Sequence, residues 1–565
     1  MAESDVIVKK RHPKGLYLLF VTEMAERFSY YGMRGIFLLY LTSALYNMDS
    51  ADQIYGSYTG LVYLTPLLGG WISDRFWGNR KSIIIGGILM AIGHFFMFFS
   101  ACFVKKAKYK DDGEIDPNIN NTLTKIILFF GLFFHILGNG FFKPNINTML
   151  GDLYDPTDNR KDAAFTIFYM GVNLGAFFSP LVCSSVAPKE KGYLNPNGYK
   201  WGFFCAGIGM VLSVVIFVIF MDKFLVTPDG LQIGLTPDKD VVKSRKNEQD
   251  SLVEINKNEK KEEKIELKKN SPFRFIACII IGIVILFAYM IWLAENQFNN
   301  DHEVIKSKWV NFNEWISAFI YGATIALPIF IITDKNLNSI EKSHIGVIYI
   351  IAFFVIFFWA CYEQAGSSLT YITEHQVDRK IGSWLFPTAW FQSVNPVAIV
   401  VLAPVFVALW EYLAKRNIEP SSPTKQVFGL IFLSFGYIVI AIGVHGLKDD
   451  QLLSLWWIII LYVLHTIGEL CLSPIGLSLV NKLSPVYLAS LLMGVWFMSN
   501  AASNVLAGKL ATLLPDPNRP NKFFLGMEID TLSKFFFVFA ILGGISAAIL
   551  FAFVPFLKKM IKNIE

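Results

Sequence analysis

KSRKNEQDSLVEINKNEKKEEKIELKK, residues 243–269, decides how the rest of the chain divides. The run is built largely from Lys and Glu and holds no aromatic residue, so it has too little apolar surface to offset the entropy of ordering it into a core. It reads as a solvated cytoplasmic linker, either disordered or an amphipathic helix. With its flanks it occupies roughly 225–272. Apolar runs of the ~20 residues needed to cross a bilayer stand on both sides of it. Six precede it, near 15–41, 52–74, 82–104, 123–151, 161–184 and 201–224. Eight follow, near 274–295, 314–334, 343–374, 388–414, 425–446, 453–482, 486–511 and 532–558. The expectation is an all-α integral membrane protein with about fourteen transmembrane helices.

Composition points the same way. Of 565 residues, 54% are hydrophobic and 17% charged, against ~25% charged in an average soluble domain. The charges cluster between the apolar runs, which leaves too little polar material to coat a set of soluble domains. A net charge of +5 does not indicate nucleic acid, because much of the Lys and Arg lies at helix ends and in the linker, as positive-inside topology requires. Cys102, Cys183, Cys205, Cys278, Cys361 and Cys471 sit in or beside apolar segments with no CxxC spacing. They read as small buried hydrophobes and not as a disulfide framework or a metal site. The opening stretch, MAESDVIVKKRHPKG, has no cleavable signal pattern.

Lys9, Lys10, Arg11 and Lys14 place the N-terminus in the cytoplasm, and an even helix number returns the C-terminus there beside Lys558, Lys559 and Lys562. Lys105, Lys106, Lys108 and Lys110 fall on the outer side in this scheme, mixed with Asp111, Asp112 and Glu114. The expected domains are an N-terminal six-helix bundle (1–224), a charged linker (225–272), an additional transmembrane hairpin (273–335) and a C-terminal six-helix bundle (336–565).

Ionisable residues inside the apolar runs are the most informative feature, since each costs at least ~2.5–3.5 kcal/mol at a helix centre. The first run contains TEMAERFSYYGMRG, with Glu23, Glu26, Arg27 and Arg34. Glu23, Glu26 and Arg27 share one helix face at i, i+3 and i+4. Lys143 stands in NGFFKPNIN, Glu363 in FFWACYEQAGSS and Glu469 in TIGELCLSPIGLS. At ~1.5 Å per residue from the cytoplasmic ends, Arg27, Lys143 and Glu469 all lie about 18–20 Å deep, with Tyr63 and Asn173 somewhat shallower. Groups from several helices at one level are what a substrate site at a repeat interface requires. Arg34 and Glu363 form a second level about 30 Å deep, opposite in charge and on opposite halves, which suggests an outer gate. Enzyme chemistry is not expected: the histidines show no HExxH-like pair, and neither a GxSxG elbow nor a glycine-rich phosphate loop occurs. His135, on an apolar run, reads as a satisfied packing residue.

Two resemblances follow from these residues. The six-plus-six plan and GGWISDRFWGNRK (Gly70, Asp74–Arg75, Gly78, Arg80, Lys81) resemble the major facilitator superfamily, whose halves rock around a central site. Glu23-x-x-Glu26-Arg27-Phe28 with Tyr30-Tyr31-Gly32 resembles the first-helix signature of proton-coupled oligopeptide transporters. FYMGVNLGAF (Phe168–Phe177), GFFKPN, FWACYEQ, FQSVNP and GELCLSP resemble further motifs of that family, in the right order across both halves. The additional hairpin resembles the one inserted in bacterial members; the long charged linker before it departs from the pattern.

The resemblance implies a proton-coupled symporter of di- and tripeptides, a monomer in the bacterial inner membrane with the proton as coupling ion and no other cofactor. It assigns Glu23, Glu26, Arg27 and Glu363 to proton coupling, and Arg27, Arg34 and Lys143 to the peptide carboxylate. Asn173, Asn395 and Glu469, with Ser473 beside them, would receive the amino end. Tyr30, Tyr31, Tyr63, Trp359 and Trp496 would line side-chain pockets. Arg34 with Glu363 and Lys143 with Glu469 would act as gates. The charges agree on their own terms, because a zwitterion needs a cation at one end and an acid at the other. The main alternative is another solute, such as nitrate or a drug, on the same scaffold; nitrate would leave Glu469 without a cationic partner.

Overall fold

The computed structural model describes residues 12–105, 121–154, 160–186, 189–190, 193–194, 196–226, 231–235, 272–300, 312–447, 451–485, 488–515 and 522–561. Most of the charged linker, the 106–110 lysines and residues 1–11 lie outside the described residues. The chain runs as α1 (Lys14–Ala44), α2 (Met48–Ile72), α3 (Gly78–Phe103), α4 (Thr122–Asp152), α5 (Lys161–Ser185) and α6 (Tyr199–Phe224). Then come α7 (Pro272–Asn300), α8 (Phe312–Ile332), α9 (Ser339–Tyr362), the short α10 (Ser368–Gln376) and α11 (Val394–Lys415). The last four are α12 (Ser422–Gly443), α13 (Leu455–Leu483), α14 (Ala489–Ala511) and α15 (Leu532–Ile561).

Among the described residues, ten helical stretches are long and apolar enough to cross a membrane by length and composition. The stretch Met48–Phe103 counts as one of these although it holds two helices, α2 and α3. α1 is absent from the ten because Glu23, Glu26, Arg27 and Arg34 lower its mean hydropathy. At ~1.5 Å per residue its 31 residues still exceed the ~30 Å hydrocarbon core.

Local chemistry sets the helix ends and breaks. The Asn47 side chain accepts from the Ser50 amide and starts α2. Asn338 and Glu341 form a reciprocal capping box at the start of α9. The loop quoted for its glycines is a tight turn: α2 passes into a π-helical segment, Ser73–Trp77, and Gly78 at φ 72° turns the chain into α3. Arg80 does more than carry charge there. It ion-pairs with Asp222 at 2.6 Å and donates to the carbonyls of Leu225 and Ile233, which holds the segment after α6 against α3.

Apolar packing forms separate cores. Two clusters draw on α1–α6, among them Tyr30, Phe37 and Tyr58 in one and Ile83, Phe142 and Phe217 in the other. A third draws on α9–α15, among them Ile348, Phe358, Tyr437, Leu492 and Phe536. The hairpin helix α8 bridges them: Ile320 packs with Ala501, Ala502 and Val505 of α14 and with Leu61, Tyr63 and Leu64 of α2. Glu314 of α8 fixes this position through Lys509 of α14 at 2.7 Å and Tyr289 of α7 at 3.2 Å.

Two expected runs are not single helices. The run near 343–374 breaks after Tyr362 into a 3-10 turn, Glu363–Gly366, before α10 resumes. The run near 388–414 begins with a 3-10 segment, Thr388–Ser393, ahead of α11. In both, apolar composition persists through the change of backbone, so hydropathy alone does not reveal it.

Candidate functional site

Glu23, Glu26 and Arg27 face inward on α1 and are all buried. Arg27 Nε lies 3.0 Å from Glu23 Oε1 and also pairs with Glu26, so one guanidinium holds two carboxylates, as their i, i+3, i+4 spacing predicts. The cluster is reached because α5 approaches α1 closely. A Cβ added to Gly175 would sit 2.9 Å from Arg27 Cβ and 3.0 Å from the Phe28 nitrogen, so the glycine of GVNLG makes room for Arg27. The guanidinium lies 5.4 Å above the Tyr30 ring, whose centroid is 5.2 Å from that of Tyr31.

Lys143, on α4, places its ammonium 4.4 Å above the Tyr63 ring of α2. It interacts electrostatically with Arg27, Glu26, Glu23 and Glu363, yet makes no ion pair among the described residues. Glu469, on α13, is held by neutral donors: Tyr362 Oη and Asn395 Nδ2 each donate to its Oε2 at 2.8 Å. Asn395 also donates to Thr466 Oγ1 at 3.0 Å, which fixes its amide. Among the described residues no cationic side chain pairs with Glu469. The Lys143–Glu469 gate pair expected from sequence is therefore not formed in this conformation.

Arg34 and Glu363 do pair directly, joining α1 to the break after α9. Arg34 Nε also donates to Tyr55 Oη at 2.6 Å, and its guanidinium lies 6.0 Å from the Tyr31 ring. The 3-10 turn at Glu363 thus sets the direction of the acid that meets Arg34.

The remaining predicted residues divide. Trp359 packs edge-on against Tyr362 at 5.0 Å, beside the Glu469 group. Ser473 stands one turn beyond Glu469, and its Oγ is buried without a hydrogen-bond partner among the described residues. Asn173 donates to the Tyr169 carbonyl of its own helix at 2.9 Å, and Tyr169 in turn interacts with Glu469. Trp496 is buried in the C-terminal core, its ring closing over Gly476 of α13.

Tyr55, Tyr362 and Thr466 were not singled out from sequence, because in a chain with 22 tyrosines no single hydroxyl stands out. FWACYEQ, which already contains Tyr362 next to Glu363, held the available signal. His135 is satisfied as expected: its Nδ1 lies 2.9 Å from Tyr58 Oη and its Nε2 3.2 Å from His94 Nε2. His94 completes the chain to Ser29 at 2.7 Å.

Comparison with known proteins gives concordant matches. The model of the POT family matches residues 80–327 and 260–525. A peptide transporter of Yersinia enterocolitica is 29% identical over 563 residues, covering 98% of this chain and 96% of that protein. Dipeptide and tripeptide permease A of Klebsiella pneumoniae is 28% identical over 567 residues, covering 100% and 96%. Among solved structures, a POT family transporter in complex with a thioalcohol-conjugated peptide superposes with a TM-score of 0.70 at 28% identity, covering 97% of each chain.

Proposed function

The chain belongs to the POT family, and from that premise we propose that it imports di- and tripeptides together with protons by alternating access. It is a multi-pass membrane protein of transporter lineage. One observation carries the substrate reading: Lys143 and Glu469 are both without an ion-pair partner among the described residues, one on the α1–α6 side and one on the α9–α15 side. Two opposite charges that do not meet one another are complementary to the two ends of a zwitterion.

The carboxylate of the peptide is assigned to Lys143, Arg27 and Arg34, and its amino end to Glu469, Asn395 and Asn173, with Ser473 alongside. Tyr30, Tyr31, Tyr63, Trp359 and Trp496 are assigned to the side-chain pockets. Termini are about 7 Å apart in an extended dipeptide and about 10 Å in a tripeptide. A clamp of fixed width therefore selects length and ignores sequence. Binding both ends also draws the two sides together, which supplies the differential affinity a conformational change needs.

Glu23, Glu26, Arg27 and Glu363 are assigned to proton coupling, with no cofactor beyond the proton. We read the fold as the major facilitator plan over 1–224 and 336–565, with the hairpin at 273–335, the linker at 225–272 and fourteen helices crossing the membrane. Both termini are placed in the cytoplasm of a bacterial cell, the chain acting as a monomer. The Arg34–Glu363 pair then closes the outer mouth and the site faces inward. Competition tests the substrate class: unlabelled di- and tripeptides should block uptake of a labelled dipeptide, while nitrate and a peptide blocked at both ends should not. Equal block by nitrate would overturn it.

A further inference from the structure

Asp52 lies on α2 one turn before Tyr55, the tyrosine that accepts from Arg34. Its exposure is 0%, and neither carboxylate oxygen has a hydrogen-bond partner among the described residues. The other buried acids of the helices have partners: Glu23 and Glu26 have Arg27, Glu363 has Arg34, and Glu314 has Lys509. Among the described residues, Asp52 is the fully buried helical acid with neither an ion pair nor a hydrogen bond.

Its backbone forms part of the contact between the two sides. A Cβ added to Gly508 of α14 would sit 2.6 Å from the Asp52 carbonyl oxygen and 3.1 Å from Gly56 Cα. One added to Gly56 would sit 3.0 Å from Gly508 Cα. At this level α2 and α14 meet backbone to backbone, which leaves no space for water between them. The charged groups acting on Asp52 are Asp49, on its own helix, and Lys522, on the hairpin Lys522–Phe524/Met527–Ile529. From α1, α4, α8 and α14, the other helices packed on α2, no charged group acts on it among the described residues. Lys522 is already committed, 2.7 Å from Asp49 Oδ1 and donating to the Thr512 carbonyl. An ionised Asp52 would stand beside a like charge, out of water and without a donor.

We propose that Asp52 binds a proton from the external side when α2 and α14 close and returns it to that side when they part, so that the outer seam senses external acidity. This rests on the alternating-access reading above. Burying an unpaired carboxylate is costly, and a proton removes that cost. An O–H bond forms on one Asp52 oxygen as the seam closes, with external water as the source, and the same bond breaks as it reopens. No net proton moves inward by this route, so the number of protons carried per peptide is unaffected. The closed seam binds one proton more than the open one, so the closed-to-open ratio falls as pH rises, by up to about tenfold per pH unit. The Arg34–Glu363 pair has the opposite sign, because it needs an ionised Glu363.

The test is double electron–electron resonance on the full chain in nanodiscs, with spin labels at the outer ends of α2 and α14. Glu363→Gln removes the opposing response, so in that variant the closed fraction should rise several-fold from pH 8 to pH 5. Adding Asp52→Asn, neutral and of the same shape, should leave the closed fraction equal at pH 8 and pH 5. Asp52→Ser in the same background checks that result with a smaller neutral side chain. A pH response undiminished in the double variants, or already absent in Glu363→Gln, would overturn the proposal. Dipeptide flux by the unsubstituted chain is measured separately, and its absence would count against the transport reading and not against Asp52.

Discussion

Asn395 Nδ2 stands 2.8 Å from Oε2 of Glu469, the same oxygen to which Tyr362 donates, so the acid is oriented by neutral groups and has no cationic partner among the described residues. In the proposed clamp, Glu469 receives the ammonium group of the peptide. Glu469→Gln keeps the shape and removes the charge. A hydrogen bond to a charged group contributes about 1.5–3 kcal/mol, so KM for a dipeptide should rise roughly 10- to 100-fold. An N-acetylated dipeptide, which has no ammonium, should compete about equally poorly with both proteins. Unchanged KM in competition uptake would remove Glu469 from the substrate site.

Lys143, proposed to hold the peptide carboxylate, makes no ion pair among the described residues, its ammonium resting on Tyr63. Lys143→Ala should reduce dipeptide uptake to background while membrane insertion, followed by expression and size-exclusion profile, stays normal. Near-normal uptake at normal expression would sink the two-ended clamp.

The parts of this site that were legible in the sequence are those where charge interrupts an apolar run. Glu23, Glu26 and Arg27 show both their cost and their pairing, because helical spacing puts them on one face, and the ion pairs of α1 follow. Arg34 and Glu363 could be matched by depth alone, and they do pair. The helical break at Glu363–Gly366 was not legible, since the surrounding residues stay apolar while the backbone tightens. The groups that orient the acids, Tyr55 and Tyr362, escaped notice because partners across helices depend on packing that no local pattern encodes. Trp496, expected beside a side-chain pocket, packs its ring over Gly476 and against the C-terminal core.

Arg27 holds Glu23 at 3.0 Å and also pairs with Glu26, so a proton on either acid, or a substrate carboxylate at Arg27, must rearrange the same three groups. Glu23→Gln or Glu26→Gln imitates permanent protonation. Each should block uptake driven by a proton gradient and spare counterflow exchange of peptide at equal pH. If both assays remain intact, the cluster is structural.

The outer pair gives a prediction with a defined sign. In the proposed outer gate, charged Glu363 holds Arg34 across the mouth and a neutral side chain there releases it, the state that Glu363→Gln imitates. Two charges about 4 Å apart at an effective dielectric near 20 interact by ~4 kcal/mol. Moving a two-state equilibrium from 1:99 to 99:1 takes about 5.5 kcal/mol, so the pair supplies much of the bias of one proton but not all of it. Glu363→Gln should favour the outward-open state, lower concentrative uptake, and leave binding from the outside intact and no longer weakened as pH rises. Distances between spin labels at the outer ends of α1 and α9, measured over a pH series, report this. A Glu363→Gln mouth that still closes on alkalinisation would move the gating proton to α1.

The most direct measurement is uptake of a labelled dipeptide by the purified chain in liposomes, with and without an imposed inward proton gradient. The account predicts accumulation above the external concentration when the gradient is present, collapse of that accumulation by a protonophore, and competition by unlabelled di- and tripeptides but not by single amino acids. Uptake that is equal with and without the gradient, or none at normal incorporation, would contradict it.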